Sequence, residues 1–405
     1  MSLYSLCRAS AVSIAVFLSV ASCGDGAGGG DVTRGTGGEG EGGGPQGGET
    51  ASGGSAGTSG NTPMGGAGPS GQGGAPIADA GQSADDGGSV STPPVGLVPM
   101  FVAAGNGGRT ITSCDDGLTW VANQAYENAN VDHSPNTEKG FAYGNGLFIE
   151  LIGWGAAPSA KVSRNGIDWK RVTVPKGDGG LIFVSAPTPA FFAIGGYGGC
   201  STSTDGETWK SCKAPNYNEN LREGGGGGSI LGVGGDIAAQ FSFDGGKSWK
   251  GGGPCTAING FGNLGQEGGF AFGNKAFVVV TSRGDWCQTA DAGITWKTGK
   301  LGGNASGKMS FAKDRFWAPN GRDVSFSDDG LTWKRETFKP ATVTIHSMAR
   351  GDSGTYVGVD RSGGADRFFR STDGLNWVQA RGAGGTSLRR VVFGYGQPSQ
   401  TCPLH

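Results

Sequence analysis

The segment Ser203-Thr-Asp-Gly-Glu-Thr-Trp209 decides the fold of this 405-residue chain, because the chain repeats it. Six further copies share a hydroxyl residue, an Asp or Asn, a Gly and a Trp: Ser113-Cys-Asp-Asp-Gly-Leu-Thr-Trp120, Ser163-Arg-Asn-Gly-Ile-Asp-Trp169, Ser242-Phe-Asp-Gly-Gly-Lys-Ser-Trp249, Thr289-Ala-Asp-Ala-Gly-Ile-Thr-Trp296, Ser327-Asp-Asp-Gly-Leu-Thr-Trp333 and Ser371-Thr-Asp-Gly-Leu-Asn-Trp377. Successive Trp residues are 49, 40, 40, 47, 37 and 44 positions apart. A period of about 43 residues indicates seven copies of one supersecondary unit.

Each copy has the composition of a hairpin turn. The Asp or Asn side chain can bond the backbone ahead of it, the Gly supplies a positive φ, and the Trp packs over the turn. Short runs of β-forming residues precede each turn, such as Phe141-Ala-Tyr-Gly, Leu147-Phe-Ile-Glu-Leu-Ile and Lys161-Val-Ser. Four short strands in roughly 40 residues are typical of a propeller blade. The sequence therefore predicts an all-β, seven-bladed β-propeller.

The two ends of the repeat region predict how the ring closes. The first blade starts with Met100-Phe-Val-Ala-Ala, which matches a second strand, and a Pro- and Gly-containing segment precedes it. The run Arg390-Val-Val-Phe-Gly-Tyr-Gly396 matches a first strand, but no blade follows it. We therefore expect the C-terminal strand to complete blade one, which leaves no open ring edge.

The repeated turn resembles the Asp-box, or bacterial neuraminidase repeat, of the sialidase-like propeller superfamily, over about 300 residues of the chain. In that family the box lies between the third and fourth strands of a blade, on the side away from the substrate, and its role is structural. The resemblance implies structural roles for Asp115, Asn165, Asp205, Asp244, Asp291, Asp329 and Asp373. Blade two departs from the family pattern, because it has Asn165 in place of Asp.

The N-terminal 22 residues have the pattern of a secretory signal, with one base at Arg8 and an apolar run from Ala11 to Ala21. That run is shorter than the roughly 20 residues a membrane-spanning helix needs. Val20-Ala21-Ser22-Cys23 resembles a bacterial lipobox, which implies a mature chain acylated at Cys23. A plain secretory signal is the alternative. Because Gly24 follows the Cys, we expect lipid anchoring in the cell envelope, at the outer membrane or cell surface.

Residues 23–96 have the composition of a disordered, acidic linker. From Gly24 to Gly96, 28 of 73 residues are Gly and no aromatic residue occurs, so the segment cannot bury enough apolar surface to fold. Eight acids and one base give it a charge of −7. We therefore expect three parts: a lipoprotein signal peptide (1–22), this linker (23–96) and the propeller (97–405).

Composition limits the classes of partner. The chain has a formal net charge of −2 and 16% charged residues, which gives no basic surface for nucleic acid. We expect a monomer without a cofactor, attached to the membrane through the lipid alone.

Six cysteines remain after Cys7 and Cys23 are set aside, and export favours disulfides among them. Six cysteines allow 15 pairings, so the connectivity stays open. Cys200 and Cys212 flank one repeated turn, and Cys114 and Cys402 lie near the two ends of the ring. These positions favour two pairs, with Cys255 and Cys287 left as the third.

The family resemblance implies an arginine triad, a Tyr activated by a Glu and an Asp acid/base if the chain is a sialidase. The Arg-Ile-Pro segment that accompanies them is missing, and Arg109-Thr-Ile is the nearest sequence. His133, His346 and His405 are scattered and indicate no catalytic triad or metal site. We therefore assign no catalytic residue and no metal ligand.

A ligand is expected on the propeller face opposite the repeated turns, where exposed aromatic and charged side chains can bind sugars or proteins. The candidate residues on that face are Trp154, Tyr217, Arg283, Asp285, Trp286 and Arg361. The favoured function is a surface-anchored binding module for a protein or a glycan. A sialidase-like or other glycoside hydrolase and an envelope assembly factor are the alternatives.

Overall fold

The computed structural model describes residues 94–124, 138–153, 158–195, 199–213, 223–234, 239–252, 255, 268–360, 367–381 and 388–404. The predicted signal peptide, Cys23 and nearly all of the predicted linker lie outside these ranges. Within them the secondary structure is β, apart from one turn of 3-10 helix at Asn106–Gly108. No helix in the described part of the chain has the length and apolar character needed to cross a membrane.

The described strands form seven sheets of four strands each. Blades 1 to 3 contain Val98–Gly105 (β1), Arg109–Ser113 (β2), Val121–Gln124 (β3); Glu138–Gly144 (β4), Leu147–Ile152 (β5), Ser159–Ser163 (β6), Lys170–Thr173 (β7); and Gly180–Val184 (β8), Ala190–Gly195 (β9), Gly199–Ser203 (β10), Lys210–Ser211 (β11). Blades 4 and 5 contain Glu223–Gly227 (β12), Ile230–Gly234 (β13), Ala239–Ser242 (β14), Lys250–Gly251 (β15); and Gly268–Gly273 (β16), Ala276–Thr281 (β17), Asp285–Thr289 (β18), Lys297–Lys300 (β19). Blades 6 and 7 contain Ser310–Ala312 (β20), Arg315–Asn320 (β21), Asp323–Ser327 (β22), Lys334–Thr337 (β23); and Ser347–Arg350 (β24), Tyr356–Asp360 (β25), Arg367–Ser371 (β26), Val378–Gln379 (β27). The last strand, Leu388–Gly396 (β28), joins blade 1.

The ring closes as the sequence predicts. Strand β28 pairs antiparallel with β1, with Val98 opposite Gly396 and Phe101 opposite Phe393. Blade 1 therefore has the order β28-β1-β2-β3, so its inner strand comes from the C-terminal end of the chain. The chain is an all-β, seven-bladed propeller, and this prediction is confirmed.

Glycines on the inner strands let neighbouring blades approach closely. In Gly140-Phe-Ala-Tyr-Gly144, a Cβ on Gly140 would lie 2.5 Å from the backbone nitrogen of Leu181 in blade 3. A Cβ on Gly144 would lie 2.3 Å from the ring of Phe183. The matching segment Gly269-Phe-Ala-Phe-Gly273 receives blade 6 in the same way. Glycine at these four inner-strand positions is therefore a packing requirement near the axis.

The hydrophobic core formed by the described residues is divided into seven clusters, and each lies between two neighbouring blades. Phe241 of blade 4 packs on Phe277 of blade 5, with ring centroids 5.0 Å apart. Trp317 of blade 6 packs on Tyr356 of blade 7 at 5.6 Å. The cluster between blades 7 and 1 contains Phe368 and Trp120, so the last interface is packed like the others.

Three disulfides are present in the described part of the chain, and they join the pairs that the sequence favoured. Cys114 pairs with Cys402, Cys200 with Cys212, and Cys255 with Cys287, at sequence separations of 288, 12 and 32. Their Cα atoms are 5.6, 5.1 and 6.5 Å apart, within the range that a disulfide spans without moving the backbone. The first of them joins the turn after β2 to the segment that follows the closing strand.

Candidate functional site

The two faces of the ring are built from different connections. Because the four strands of a blade alternate in direction, the turns after the first and third strands lie on one side. That side, here called the turn face, carries the seven repeated turns (residues 113–120, 163–169, 203–209, 242–249, 289–296, 327–333 and 371–377). The other side, called the connection face, carries the loops after the second strands and the links between blades.

Each repeated turn is held by its own carboxylate or amide. Asp205 Oδ1 accepts hydrogen bonds from the backbone nitrogens of Thr208 and Glu207 at 2.7 and 2.8 Å, and from Ser203 Oγ at 3.0 Å. The bond from the Thr208 backbone contributes most to lowering the pKa of Asp205 to about 2, against a smaller opposing effect of burial. The carboxylate is therefore ionised, and its Oδ1 atom accepts hydrogen bonds within the turn.

The repeated turns also pack against the preceding blade. A Cβ on Gly374 would lie 2.8 Å from the Trp317 ring of blade 6, and the ring of Trp120 stacks on Phe368 of blade 7 at 4.1 Å. In blade 3, Trp209 Nε1 donates a hydrogen bond to the carbonyl of Gly206 at 2.8 Å and joins the core between blades 2 and 3. The Gly and Trp residues that recur in the repeat thus take part in the contacts between blades.

The seven turns come in two lengths. Four of them have six positions from hydroxyl to Trp, and their Trp Nε1 atoms bond the Gly carbonyl of the turn. Three have one extra residue in the left-handed region, namely Asp116, Gly245 and Ala292. In two of these longer turns the buried Nε1 atoms of Trp120 and Trp249 have no hydrogen-bond partner. The inserted residue therefore changes the position of the Gly carbonyl relative to the indole.

The structure describes only some of the residues that the sequence predicts to contact a ligand. Trp154, Tyr217 and Arg361 lie outside the described residues, as do His133 and His405. Arg283 is exposed in the turn between β17 and β18 on the connection face. Asp285 begins β18, and its Oδ1 lies 2.6 Å from Lys300 Nζ. These two residues remain candidates for contact with a ligand.

Trp286 is not an exposed ligand residue, and this prediction is wrong. Its side chain is only 7% exposed and belongs to the core between blades 5 and 6, with its ring centroid 6.5 Å from that of Trp333. The physical reason is strand alternation: Trp286 is the second residue of β18, opposite Gly299, and a Cβ on Gly299 would lie 2.5 Å from the indole. The absence of a side chain at Gly299 makes room for the Trp.

Among the described residues, six ionisable ones lie at the connection-face ends of the inner strands of blades 1, 2, 3 and 6, and we call them the mouth cluster: Glu138, Lys139, Asp178, Lys308, Arg389 and Arg390. Each lies within two residues of the first residue of an inner strand. Four carry positive charge and two carry negative charge. The closed ring brings these positions together although they span most of the propeller sequence.

The centre of the mouth cluster is an ion pair between blades 1 and 2. Arg390 Nε donates to Glu138 Oε1 at 2.8 Å, and the two side chains are 19% and 2% exposed. The backbone nitrogen of Glu138 donates to Asn106 Oδ1 at 3.1 Å. A fixed Glu138 thereby orients Arg390 at the entrance to the opening.

Lys139 links the rest of the mouth cluster electrostatically. Burial lowers the pKa of Lys139, the carboxylates of Asp178 and Glu138 oppose this effect, and the cations Arg389 and Lys308 add to it. Arg389 is only 8% exposed although it carries a charge. Arg389 of blade 1 and Lys308, which precedes the first strand of blade 6, therefore both lie within electrostatic range of Lys139.

A second buried ion pair lies behind the mouth cluster. Lys161 Nζ is 3.6 Å from Glu150 Oε2, and both side chains are fully buried. Lys161 also donates to the carbonyl of Gly108 in blade 1 and to Thr110 Oγ1 at 3.3 Å. Burial raises the pKa of Glu150 and lowers the pKa of Lys161, and the attraction between the two groups opposes both shifts. Because no solvent reaches Glu150, the carboxyls of Glu138 and Glu150 cannot act as an acid and base pair on a sugar.

The axial opening itself is narrow. It is lined by the inner strands of blades 2 to 6 and leaves about 50 Å³ for water-sized molecules. Its lining includes Tyr143, Phe183, Phe272 and Phe311 together with the glycines of β12. The described residues contain no group of three or more His, Cys, Asp or Glu side chains able to hold a metal ion, and His346 is buried. The opening is therefore too small to hold a large ligand.

Sequence reasoning missed the mouth cluster. The signal that could have found it is a charged pair just before an inner-strand run, as in Glu138-Lys139 and Arg389-Arg390. From its pattern alone, Arg390 is predicted only to begin the closing strand.

Comparisons with known proteins support the fold. No protein-family model matches the chain, and no curated protein matches it. Among solved structures, the chain is similar to a protein from Lactobacillus plantarum (8% identity, 73% of this chain and 99% of that chain, TM-score 0.51) and to apo AztD from Citrobacter koseri (8% identity, 74% and 98%, TM-score 0.50). A match to YCF48 bound to D1 peptide has 17% identity, covers 51% of this chain and 66% of that chain, and has a TM-score of 0.36. At these identities the similarity shows the propeller fold alone.

Proposed function

We propose that this chain is an exported, lipid-anchored binding module whose propeller recognises a protein or glycan partner at the mouth cluster. The observation that carries the proposal is the difference between the two faces. On the turn face, the repeated residues are engaged in hydrogen bonds within the turns and in contacts with preceding blades. On the connection face, ionisable side chains from blades 1, 2, 3 and 6 meet at one entrance.

We further propose that the repeated turns are Asp-boxes of the sialidase-like type with a structural role. The hydrogen bonds of Asp205 and the packing of Gly374 support that role. The glycoside hydrolase alternative lacks support, because Glu150 is fully buried and Glu138 is bonded to Arg390. The envelope assembly factor remains a prediction without a specific observation in its favour.

Anchoring is tested through Cys23. Labelled palmitate should be incorporated into the wild-type protein, and Cys23→Ala should release the protein from the membrane fraction. Unchanged membrane retention of the variant would remove the lipid anchor from the proposal and leave the binding role untouched.

Binding is tested with the full chain in detergent as bait for an envelope extract. The double variant Lys139→Met/Lys308→Met should lose partners that the wild type captures, because it removes two cations from the entrance. Lys297→Met is the matched control, since Lys297 is an exposed lysine that follows Trp296 at the outer rim. Equal capture by all three proteins would show that the partner binds elsewhere.

A further inference from the structure

We propose that the Asn165-Gly166 step in the repeated turn of blade 2 is a self-modification site, where the Asn165 amide is lost as ammonia with age and a carboxylate replaces it. Blade 2 is the one blade whose turn has Asn where the other six have Asp. The site lies on the turn face and does not depend on any ligand at the mouth cluster.

Blade 2 exchanges the donor and the acceptor of the repeated turn. In blade 7, Asn376 Nδ2 donates a hydrogen bond to Asp373 Oδ2 at 2.5 Å, so the carboxylate comes first and the amide follows it. In blade 2, Asn165 Nδ2 donates to Asp168 Oδ2 at 2.8 Å, so the amide comes first. The exchange places Gly166 directly after the amide, whereas no Gly follows the amide of blade 7.

The nucleophile is the backbone nitrogen of Gly166. It attacks Asn165 Cγ, loses its proton to a solvent base and closes a succinimide ring, while the Cγ–Nδ2 bond breaks and the side-chain nitrogen leaves as ammonia. Water then opens the ring and leaves an aspartyl or isoaspartyl residue, so one water is consumed for each ammonia released. Gly166 has no side chain to hinder the attack, and no described residue accepts a hydrogen bond from its nitrogen. In blade 7, the matching nitrogen of Gly374 donates to Ser371 Oγ at 2.9 Å.

The turn surrounds the reacting amide with groups that favour the attack. Negative charge develops on Asn165 Oδ1, which accepts hydrogen bonds from the backbone nitrogens of Asp168 at 2.8 Å and Ile167 at 3.0 Å and from Ser163 Oγ at 3.2 Å. Donors that point at a developing oxyanion lower the barrier of acyl transfer. The Asp168 carboxylate, 2.8 Å from Nδ2, can relay a proton from water to the departing nitrogen. Asn165 is partly exposed and Asp168 is exposed, so water reaches the succinimide.

The modification weakens the interface between blades 1 and 2. A carboxylate in place of the amide faces the Asp168 carboxylate, so like-charge repulsion replaces a hydrogen bond. The same turn supports the end of the closing strand. The Gly166 carbonyl accepts a hydrogen bond from Thr112 Oγ1 of blade 1 at 2.6 Å, and the Arg164 carbonyl accepts one from the backbone nitrogen of Gln397 at 2.7 Å. The loss of the amide therefore acts where the ring closes.

The experiment incubates the full chain in detergent at mildly alkaline pH and maps its peptides by mass spectrometry at intervals. The measured quantities are the mass gained when NH2 becomes OH and the isoaspartyl fraction. Asn145-Gly146, between β4 and β5, is the matched step in the same chain, because Asn145 is more exposed than Asn165 and no described residue donates a hydrogen bond to its amide oxygen. Asn165 should convert at least about tenfold faster than Asn145. Asp168→Asn removes the carboxylate but keeps an acceptor for Nδ2, so it should slow the conversion of Asn165 and leave that of Asn145 unchanged.

Two results would overturn the inference: Asn165 converts no faster than Asn145, or it converts no faster in the folded protein than in the chain unfolded in urea. Neither comparison needs a variant, so both hold even if Asp168→Asn does not fold. The weakening is tested by Asn165→Asp, which should lower the melting temperature. Asn165→Asp/Asp168→Asn copies the order of blade 7 and should restore it. An Asn165→Asp protein as stable as the wild type would contradict the weakening of the interface.

Discussion

Arg370 of blade 7 holds Asp116 of the first repeated turn across the closing interface of the ring. Its Nη2 atom is 2.9 Å from Asp116 Oδ2, and its Nε donates to the Asp116 carbonyl at 2.6 Å. The same carboxylate accepts a hydrogen bond from Ser353 Oγ at 2.7 Å and another from Thr355 Oγ1, both in blade 7. Asp116 is one of the inserted residues of the longer turns. The insertion therefore places a carboxylate where the last blade can bind it.

Asp116→Ala should lower the free energy of unfolding by about 1 to 3 kcal/mol, because it removes charge-assisted hydrogen bonds and leaves Arg370 without its carboxylate. The control is Asp323→Ala, since Asp323 pairs with Arg335 at 2.7 Å within one blade and at similar exposure. Urea unfolding measures both. Because only Asp116 joins two blades, its variant should be the less stable of the two. Equal decreases in the unfolding free energy of the two variants would show that a contact between blades stabilises the ring no more than a contact within a blade.

The Cys114–Cys402 disulfide should contribute more stability than the Cys200–Cys212 disulfide. The loops that they close differ greatly, with sequence separations of 288 and 12. In the loop-entropy model these correspond to roughly 6 and roughly 3 kcal/mol, although measured values are often smaller. The comparison uses Cys114→Ser/Cys402→Ser and Cys200→Ser/Cys212→Ser in thermal unfolding. A larger loss from the second pair would contradict the entropic account.

Acid should destabilise the propeller through the repeated turns. Burial raises the pKa of Asp244, but hydrogen bonds from Ser248 and Ser242 together outweigh it and lower the pKa from its ordinary value of 3.8 to about 2. A carboxyl group with a lowered pKa stabilises the fold above about pH 4, and this contribution is lost as the pH falls toward 2. Asp205, Asp329 and Asp373 have the same shift. Several turns should therefore weaken within one pH range.

Asp244→Asn isolates this effect. Unfolding free energies measured between pH 5 and pH 2 should fall less steeply for the variant than for the wild type, because one ionisation has been removed. The variant should also be less stable at pH 5, since Asn offers one acceptor oxygen where the carboxylate accepts bonds on two. Parallel curves of unfolding free energy against pH for the two proteins would show that the pKa of Asp244 does not change on folding.

The parts of the structure that the sequence predicts are those encoded locally. The repeated turns need only a hydroxyl, a carboxylate or amide, a Gly and a Trp within a few positions, so one segment such as Ser203–Trp209 is sufficient evidence. The closing strand follows from a first-strand pattern at Arg390–Gly396 that has no blade behind it. In each case a short pattern specifies the interaction.

The candidate site was harder to predict because its residues are distant in sequence. Lys139 and Arg389 meet only when the ring closes, and neither has a local pattern that marks a partner. Trp286 was misplaced for a related reason, since its orientation depends on a strand register and on Gly299 in the next strand. The closed ring places these side chains, and the residues next to them in sequence do not. Their positions could therefore not be predicted from the sequence.

The buried pair Glu150 and Lys161 gives the last prediction. Glu150→Gln should preserve shape but leave the Lys161 ammonium without its counter-charge in a site that no solvent reaches, at a cost of about 3 to 5 kcal/mol in unfolding free energy. The double variant Glu150→Leu/Lys161→Met fills similar volume without charge, so it should recover most of that loss, because the pair's attraction roughly balances the cost of burying it. Lys161 also bonds the Gly108 carbonyl of blade 1, so some loss should persist in the double variant. Urea unfolding of the wild type, Glu150→Leu, Lys161→Met and the double variant forms a mutant cycle that measures the coupling. A double variant as unstable as the sum of the singles would show that the two charges do not interact in the fold.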